Sequence, residues 1–163
     1  MVANKAEATA SLIDLDAGEV AATVETGPGP HEVGISPDGG SALVTNYGGE
    51  TPGNSLTLID IPGLAVAATI ELPAGSRPHG VAWRDDTEAV VTAEGLRALL
   101  RVDVNAGRVI ARLPVDQAVA HMVALGPAGK RAYVANIGSG TGTVLDLEKG
   151  GQVAQLASGK GTE

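Results

Sequence analysis

The sequence has no cysteine and no phenylalanine, and aromatic residues make up only 2% of its 163 positions. The first absence excludes disulfides, thiolate metal ligands and a cysteine nucleophile, and leaves the compartment open, because disulfide-free proteins occur everywhere. The second means that any core is packed from Val, Ile, Leu and Ala. Positive charge is also scarce: 11 Lys and Arg against 19 Asp and Glu give a formal charge of −8 and a pI near 4.8. No basic run is dense enough to follow a phosphate backbone, which argues against nucleic acid and anionic membrane surfaces as partners. No apolar run approaches a membrane span, so membrane insertion is not expected. The N-terminus MVANKAEATASLIDLD lacks the basic start and apolar stretch of a signal peptide. Helix-period patterning is absent throughout.

What is abundant is turn chemistry, with 23 Gly and 9 Pro, and it recurs in register. GPGPHEVGISPDGGSALVTNYG from Gly27, GSRPHGVAWRDDTEAVVTAEG from Gly75 and QAVAHMVALGPAGKRAYVANIG from Gln117 are copies of one pattern. The only three histidines, His31, His79 and His121, fall at one repeat position, 48 and 42 residues apart. A second anchor, LIDLDAGEVAATV, LIDIPGLAVAATI, RVDVNAGRVIARL and VLDLEKGGQVAQL, aligns Asp14, Asp60, Asp103 and Asp146 at spacings of 46, 43 and 43.

Within a copy, short runs of period two read as four strands, A to D, separated by turns. In the first copy they fall at about 31–36, 41–46, 55–61 and 66–72. Pro37-Asp38-Gly39 makes the A–B turn, and Pro62-Gly63 and Asn105-Ala106-Gly107 make C–D turns, with Gly at the permissive position. A repeated four-stranded unit of about 43 residues is the signature of a β-propeller blade. The expected fold is therefore all-β: a β-propeller of four-stranded antiparallel blades, forming a partial ring of about 3.5 to 4 blades. As a single domain it divides into blade parts 1–24, 25–72, 73–113 and 114–156, with 157–163 starting a further blade.

ALVTNYG and AYVANIG, preceded by PHEVGISPDG and followed by LIDLDAGEV, resemble the YVTN-type propeller repeats of the YncE-like family across essentially the whole chain. The resemblance implies a bacterial or archaeal protein, often periplasmic or on the cell surface, with seven blades and usually no assigned chemistry. More distant relatives include lactonases of the phosphogluconolactonase type and propeller domains of redox enzymes. The second copy departs from the pattern: WRDDTE replaces the Pro-Asp-Gly turn and VVTAEG lacks the Asn. A seven-bladed ring needs roughly twice this length, so the expectation is either a fragment or a chain that self-associates to close the ring.

Successive meander loops alternate ends, so the D–A and B–C loops share one rim. Strand A is innermost in a propeller, which puts His31, His79 and His121 at the channel mouth on that rim, the default binding site. A repeat position favours a structural role, the imidazole hydrogen-bonding to the neighbouring blade's backbone. The alternatives are a ligand or divalent-metal site made by convergent imidazoles, or acid–base catalysis by one of them. Arg77 is a candidate for an anionic ligand, although a solvated loop arginine is the blander reading. Glu50, Glu94 and Glu163 are candidate acidic ligands, with Glu163 at the histidine position of the next repeat. Structural repeat roles fall to Asn46 and Asn136, as strand-B end residues serving loop backbone, and to Asp14, Asp60, Asp103 and Asp146, as turn acceptors. Trp83, in phase with His79, is expected to pack between blades.

GSGTG and SGKGTE lack the context of nucleotide-binding loops, and no nucleophile elbow is present. The reading leans to a non-enzymatic scaffold that binds a small molecule or protein at the His-bearing rim. Its alternatives are a lactonase-like metal-assisted hydrolase and a propeller domain partnering a redox enzyme.

Overall fold

A computed structural model describes residues 1–163. Its fifteen strands are β1 Val2–Asn4, β2 Thr9–Asp14, β3 Glu19–Glu25, β4 Pro30–Ile35, β5 Ser41–Gly48, β6 Pro52–Asp60, β7 Ala65–Glu71, β8 Pro78–Trp83, β9 Glu88–Ala93, β10 Ala98–Asp103, β11 Arg108–Pro114, β12 Ala120–Leu125, β13 Arg131–Asn136, β14 Thr141–Asp146 and β15 Gln152–Ala157. They form four antiparallel meanders: three-stranded β1–β3, then four-stranded β4–β7, β8–β11 and β12–β15. These sheets are consecutive blades of a partial β-propeller. No helix is long and apolar enough to cross a membrane.

Side-chain alternation explains how aliphatic residues suffice. In β9, Ala89, Val91 and Ala93 pack toward the second blade with Leu43, Leu56 and Ile70, while Val90 faces the fourth with Ala132, Val134 and Leu145. In β10, Leu100 and Leu99 divide the same way. Both faces of an inner blade are buried, so its strands read as continuous apolar runs. A third cluster, containing Ala10, Leu12, Ala42, Val44 and Ile59, joins the first two blades.

Each of the three histidine-bearing strands carries a β-bulge in its pairing with the next strand, between Pro30 and Val33, Pro78 and Val81, and Ala120 and Val123. A bulge leaves one residue unpaired and re-aims a side chain; here it falls on the histidine and the residue after it. The freed amides are captured. Thr45 Oγ1 accepts from Glu32 N at 3.0 Å and donates to the carbonyl of His79 on the next blade at 2.8 Å. Thr92 Oγ1 accepts from Gly80 N at 2.8 Å and donates to the carbonyl of His121. Gly80 has no room for a side chain: a Cβ would stand 2.8 Å from His121 O and 3.0 Å from Met122 Cα.

The irregular turn of the third blade supplies the remaining ties. Trp83 Nε1 donates to Gly34 O at 2.9 Å, Asp86 Oδ1 accepts from Asp38 N at 3.0 Å, and Arg84 Nε donates to Gly129 O at 2.9 Å. Arg101 grips Glu88 through two bonds, at 2.6 and 3.0 Å, and reaches Leu147 O at 2.9 Å. WRDDTE is thus the segment that fastens its blade to both neighbours.

Three local expectations change. In the turn after Asp60 the left-handed residue is Leu64, at φ 52°. Gly63 keeps a negative φ, and the carboxylate of exposed Asp60 lies over it, 2.3 Å from where a Cβ would be, a contact that rotation of the Asp60 side chain would relieve. The second blade's B–C hairpin runs longer than the alternation predicts, pairing Gly48 with Pro52, because Gly48 and Gly53 let the two backbones close in. One 3-10 turn, Glu94–Leu96, interrupts the otherwise all-β chain.

Candidate functional site

His31 sits on β4, His79 on β8 and His121 on β12, each one residue into its strand and on the bulge. Adjacent blades stack the rings. Centroids are 4.1 Å apart between His31 and His79 and 3.7 Å between His79 and His121, with tilts of 46° and 34°. Tyr47, at the end of strand B of the second blade, sets its ring edge-on to His79 at 5.5 Å. The expected imidazole bond to a neighbouring backbone is not made. The histidine main-chain carbonyl carries that tie, through Thr45 and Thr92, and the rings pack on one another.

Two carboxylates enter the stack. The 3-10 turn brings Glu94 inward, its side chain 8% exposed, so that Oε1 lies 2.6 Å from His121 Nδ1. Oε2 accepts from the Tyr47 hydroxyl at 2.7 Å. Burial, followed by the Glu94 bond, pushes the Tyr47 phenol up. Glu32 Oε1 stands 3.4 Å from His31 Nδ1, close enough for an ion pair without a hydrogen bond. His79, only 3% exposed, lies between the two acids, and its Nδ1 has no hydrogen-bond partner. Burial first, then the neighbouring His121, His31 and Lys5, push its pKa down to about 3, so the ring is neutral near pH 7.

His31, His79, His121 and Glu163 line one cavity of ≈ 910 Å³, together with Glu32, Met122 and Tyr133. Arg77 is elsewhere. It occupies a left-handed backbone position, φ 48°, donates from Nη2 to Gly49 O at 2.8 Å and covers the Tyr47 ring at 4.9 Å. Its guanidinium ties two rim loops and does not face the cavity. Glu50 is exposed on the B–C loop.

The repeat-position polar residues lie away from this stack. Asn46 Nδ2 donates to Ser55 and Thr57, Asn136 Nδ2 to Thr141 and Thr143, and Asn4 Nδ2 to Thr9 and Ser11. Their partners are strand-C hydroxyls in place of loop backbone. Where the third blade has Ala93, the facing residues are Ala98 and Leu100, so amide and hydroxyls are lost together. Oδ1 of Asp14, Asp103 and Asp146 accepts turn amides at 2.8–3.0 Å.

Glu32, Tyr47, Thr45 and Thr92 were not singled out from sequence. Two of them carried a signal: Thr45 and Thr92 share a repeat position in VTN and VTA. Glu32 is the only acid that directly follows a repeat histidine, with Gly80 and Met122 at the equivalent positions.

No family model matches the chain, and no curated protein sequence matches it. Among solved structures it is similar to Kuenenia stuttgartiensis Hydrazine Synthase, with a TM-score of 0.83 at 21% identity. The match covers 96% of this chain and 45% of that one, so the chain spans less than half the length of the structure it matches. At that identity the likeness establishes the fold alone, in agreement with the blade architecture.

Proposed function

We propose that this chain is part of a YVTN-type β-propeller acting as a binding scaffold, with its contact face at the channel mouth where His31, His79 and His121 meet. One observation carries the reading: three successive blades deliver their histidines, with two carboxylates, into one stack on the wall of a ≈ 910 Å³ cavity. A concave site with a few convergent polar groups is where small molecules and peptide side chains bind. The repeat resemblance supports the family assignment and, with it, a periplasmic or cell-surface location.

A fragment screen followed by amide shifts in ¹H–¹⁵N spectra tests the contact face, with imidazole, succinate and acetylated amino acids as probes. Shifts grouped at Glu32, His79 and Met122 support it. Shifts confined to the opposite rim, at Asp38, Asp86 and Gly129, or no shifts with any probe, reject it.

A hydrolase reading draws on the Glu94–His121 pair, a carboxylate-oriented imidazole of the kind that serves as a general base. Lactone hydrolysis lost in His121→Ala would support that reading, and a rate equal to buffer would remove it. A redox-partner role rests on the family resemblance alone, because the likeness to hydrazine synthase does not reach beyond the fold.

A further inference from the structure

The mouth holds an imbalance that packing does not explain. His121 and Glu94 satisfy each other, and Tyr47 takes the second Glu94 oxygen. On the other side of His79 nothing is satisfied: Nδ1 of His31 and Nδ1 of His79 are both buried without a hydrogen-bond partner. Buried polar atoms are rarely left so, and an orphaned pair calls for a missing partner. Glu32 stands beside them, and one donor atom from each of His31, Glu32 and His79 lies within 4.8 Å of the other two.

We propose that His31, Glu32 and His79 form a binding site for a divalent transition-metal ion of the zinc or copper class, with the cavity leaving a further coordination position open to an exogenous ligand. The inference rests on the reading of the mouth as the contact face and names the ligand chemistry of that face.

Donor type decides the class of ion. Two imidazole nitrogens and one carboxylate oxygen suit zinc and copper, whereas calcium and magnesium prefer all-oxygen sets. Metal–ligand bonds of about 2.0–2.2 Å place donors in a tetrahedral set roughly 3.3–3.6 Å apart, so the three groups close in modestly around an ion. Glu32 and His31 can do so because their side chains are 35% and 28% exposed, while buried His79 is the fixed point. The His121–Glu94–Tyr47 chain holds the His121 ring, whose centroid lies 3.7 Å from that of His79. A second cluster of His79, Glu94 and His121 has comparable spacing. Its His121 nitrogen and both Glu94 oxygens are already engaged, so an ion there would have to break two bonds.

Zn²⁺ and Co²⁺ titrated into the full chain, followed by calorimetry and by the visible absorption of Co²⁺, test the assignment. The expected result is one ion per chain, with His79→Ala and Glu32→Gln each weakening binding by about tenfold or more, and Glu94→Gln changing it less. Should His79→Ala fail to fold, long-range ¹H–¹⁵N spectra of the unaltered protein give the same answer, because Zn²⁺ must shift the Nδ1 signals of His31 and His79. No binding by Zn²⁺ or Co²⁺ overturns the proposal, as does binding that survives His79→Ala or that depends on Glu94 and not Glu32. Running the fragment screen with chelator present separates the two claims. Probe shifts at the mouth without metal binding would reject the ion and keep the contact face; loss of both rejects both.

Discussion

Asn46 shows how a repeat-position side chain can be structural in three blades and absent from the remaining one, the third. Fully buried, it donates to Ser55 at 3.0 Å and Thr57 at 3.1 Å, linking strands B and C. Asn46→Ala leaves those hydroxyls facing a small void and costs about 1–3 kcal/mol, measurable by urea denaturation. The third blade fills the same positions with Ala93, Ala98 and Leu100. Adding Ser55→Ala and Thr57→Leu to Asn46→Ala therefore recovers part of the loss, because removing the linked partners of a buried polar set is cheaper than removing one, while the Gly27 amide, which donates to Thr57 Oγ1 at 3.3 Å, loses its acceptor. A triple variant less stable than the single one would contradict this. Asn46 stood out in the sequence because VTNYG and VANIG repeat it. Its partners did not, because the pairing of strand B with strand C sets which hydroxyls lie opposite.

Between elements, the blades are joined by two devices at opposite rims. At the channel mouth, Thr92 relays a hydrogen bond from the bulged Gly80 amide to the His121 carbonyl. Thr92→Val keeps the shape and removes the relay, which should cost about 1–3 kcal/mol and speed amide exchange at Gly80; unchanged exchange would show that the bond is idle. At the far rim, Arg101 reaches the fourth blade through Leu147 O, and within its own blade its bond to Glu88 holds that carboxyl below its ordinary pKa of 4.5. A group whose folded pKa is depressed contributes stability in full above its unfolded pKa and loses it as pH falls through the folded value. The gap in stability between the native chain and Glu88→Gln should therefore be level from neutral pH down to about 4.5 and shrink at lower pH. Urea unfolding at a series of pH values reads this directly, and a gap that widens on acidification would refute it.

At the scale of the whole molecule, each blade contacts only its neighbours, so stability accumulates interface by interface, as in other repeat proteins. The two inner blades bury both faces, whereas the outer ones do not: Tyr133 is 44% exposed and Leu156 57% exposed on the fourth. Apolar side chains grouped on a sheet face promote association with another sheet. Tyr133 and Leu156 also line the cavity at the mouth, so association through this face competes with a bound ligand. Sedimentation should show copies of the chain associating as concentration rises, and Tyr133→Lys with Leu156→Lys should reduce both that association and hydrophobic dye binding. A compact monomer at all concentrations, with little dye bound, would remove the idea.

The repeat in the sequence was enough to determine the four-stranded unit, the innermost place of the histidine strands and the common rim of His31, His79 and His121, because strand period and turn chemistry are local properties of the chain. The departure of WRDDTE was visible too, but not its use, since its partners Gly34, Asp38 and Gly129 are about 50 residues away along the chain. Whether the imidazoles would stack or splay, and that Glu32 and Glu94 rather than Glu50 would join them, only the tertiary structure decided. Those outcomes depend on the bulge that re-aims each histidine, on the 3-10 turn that draws Glu94 inward, and on blade-to-blade approach at Gly80. None of these is written in the spacing of residues along a single strand.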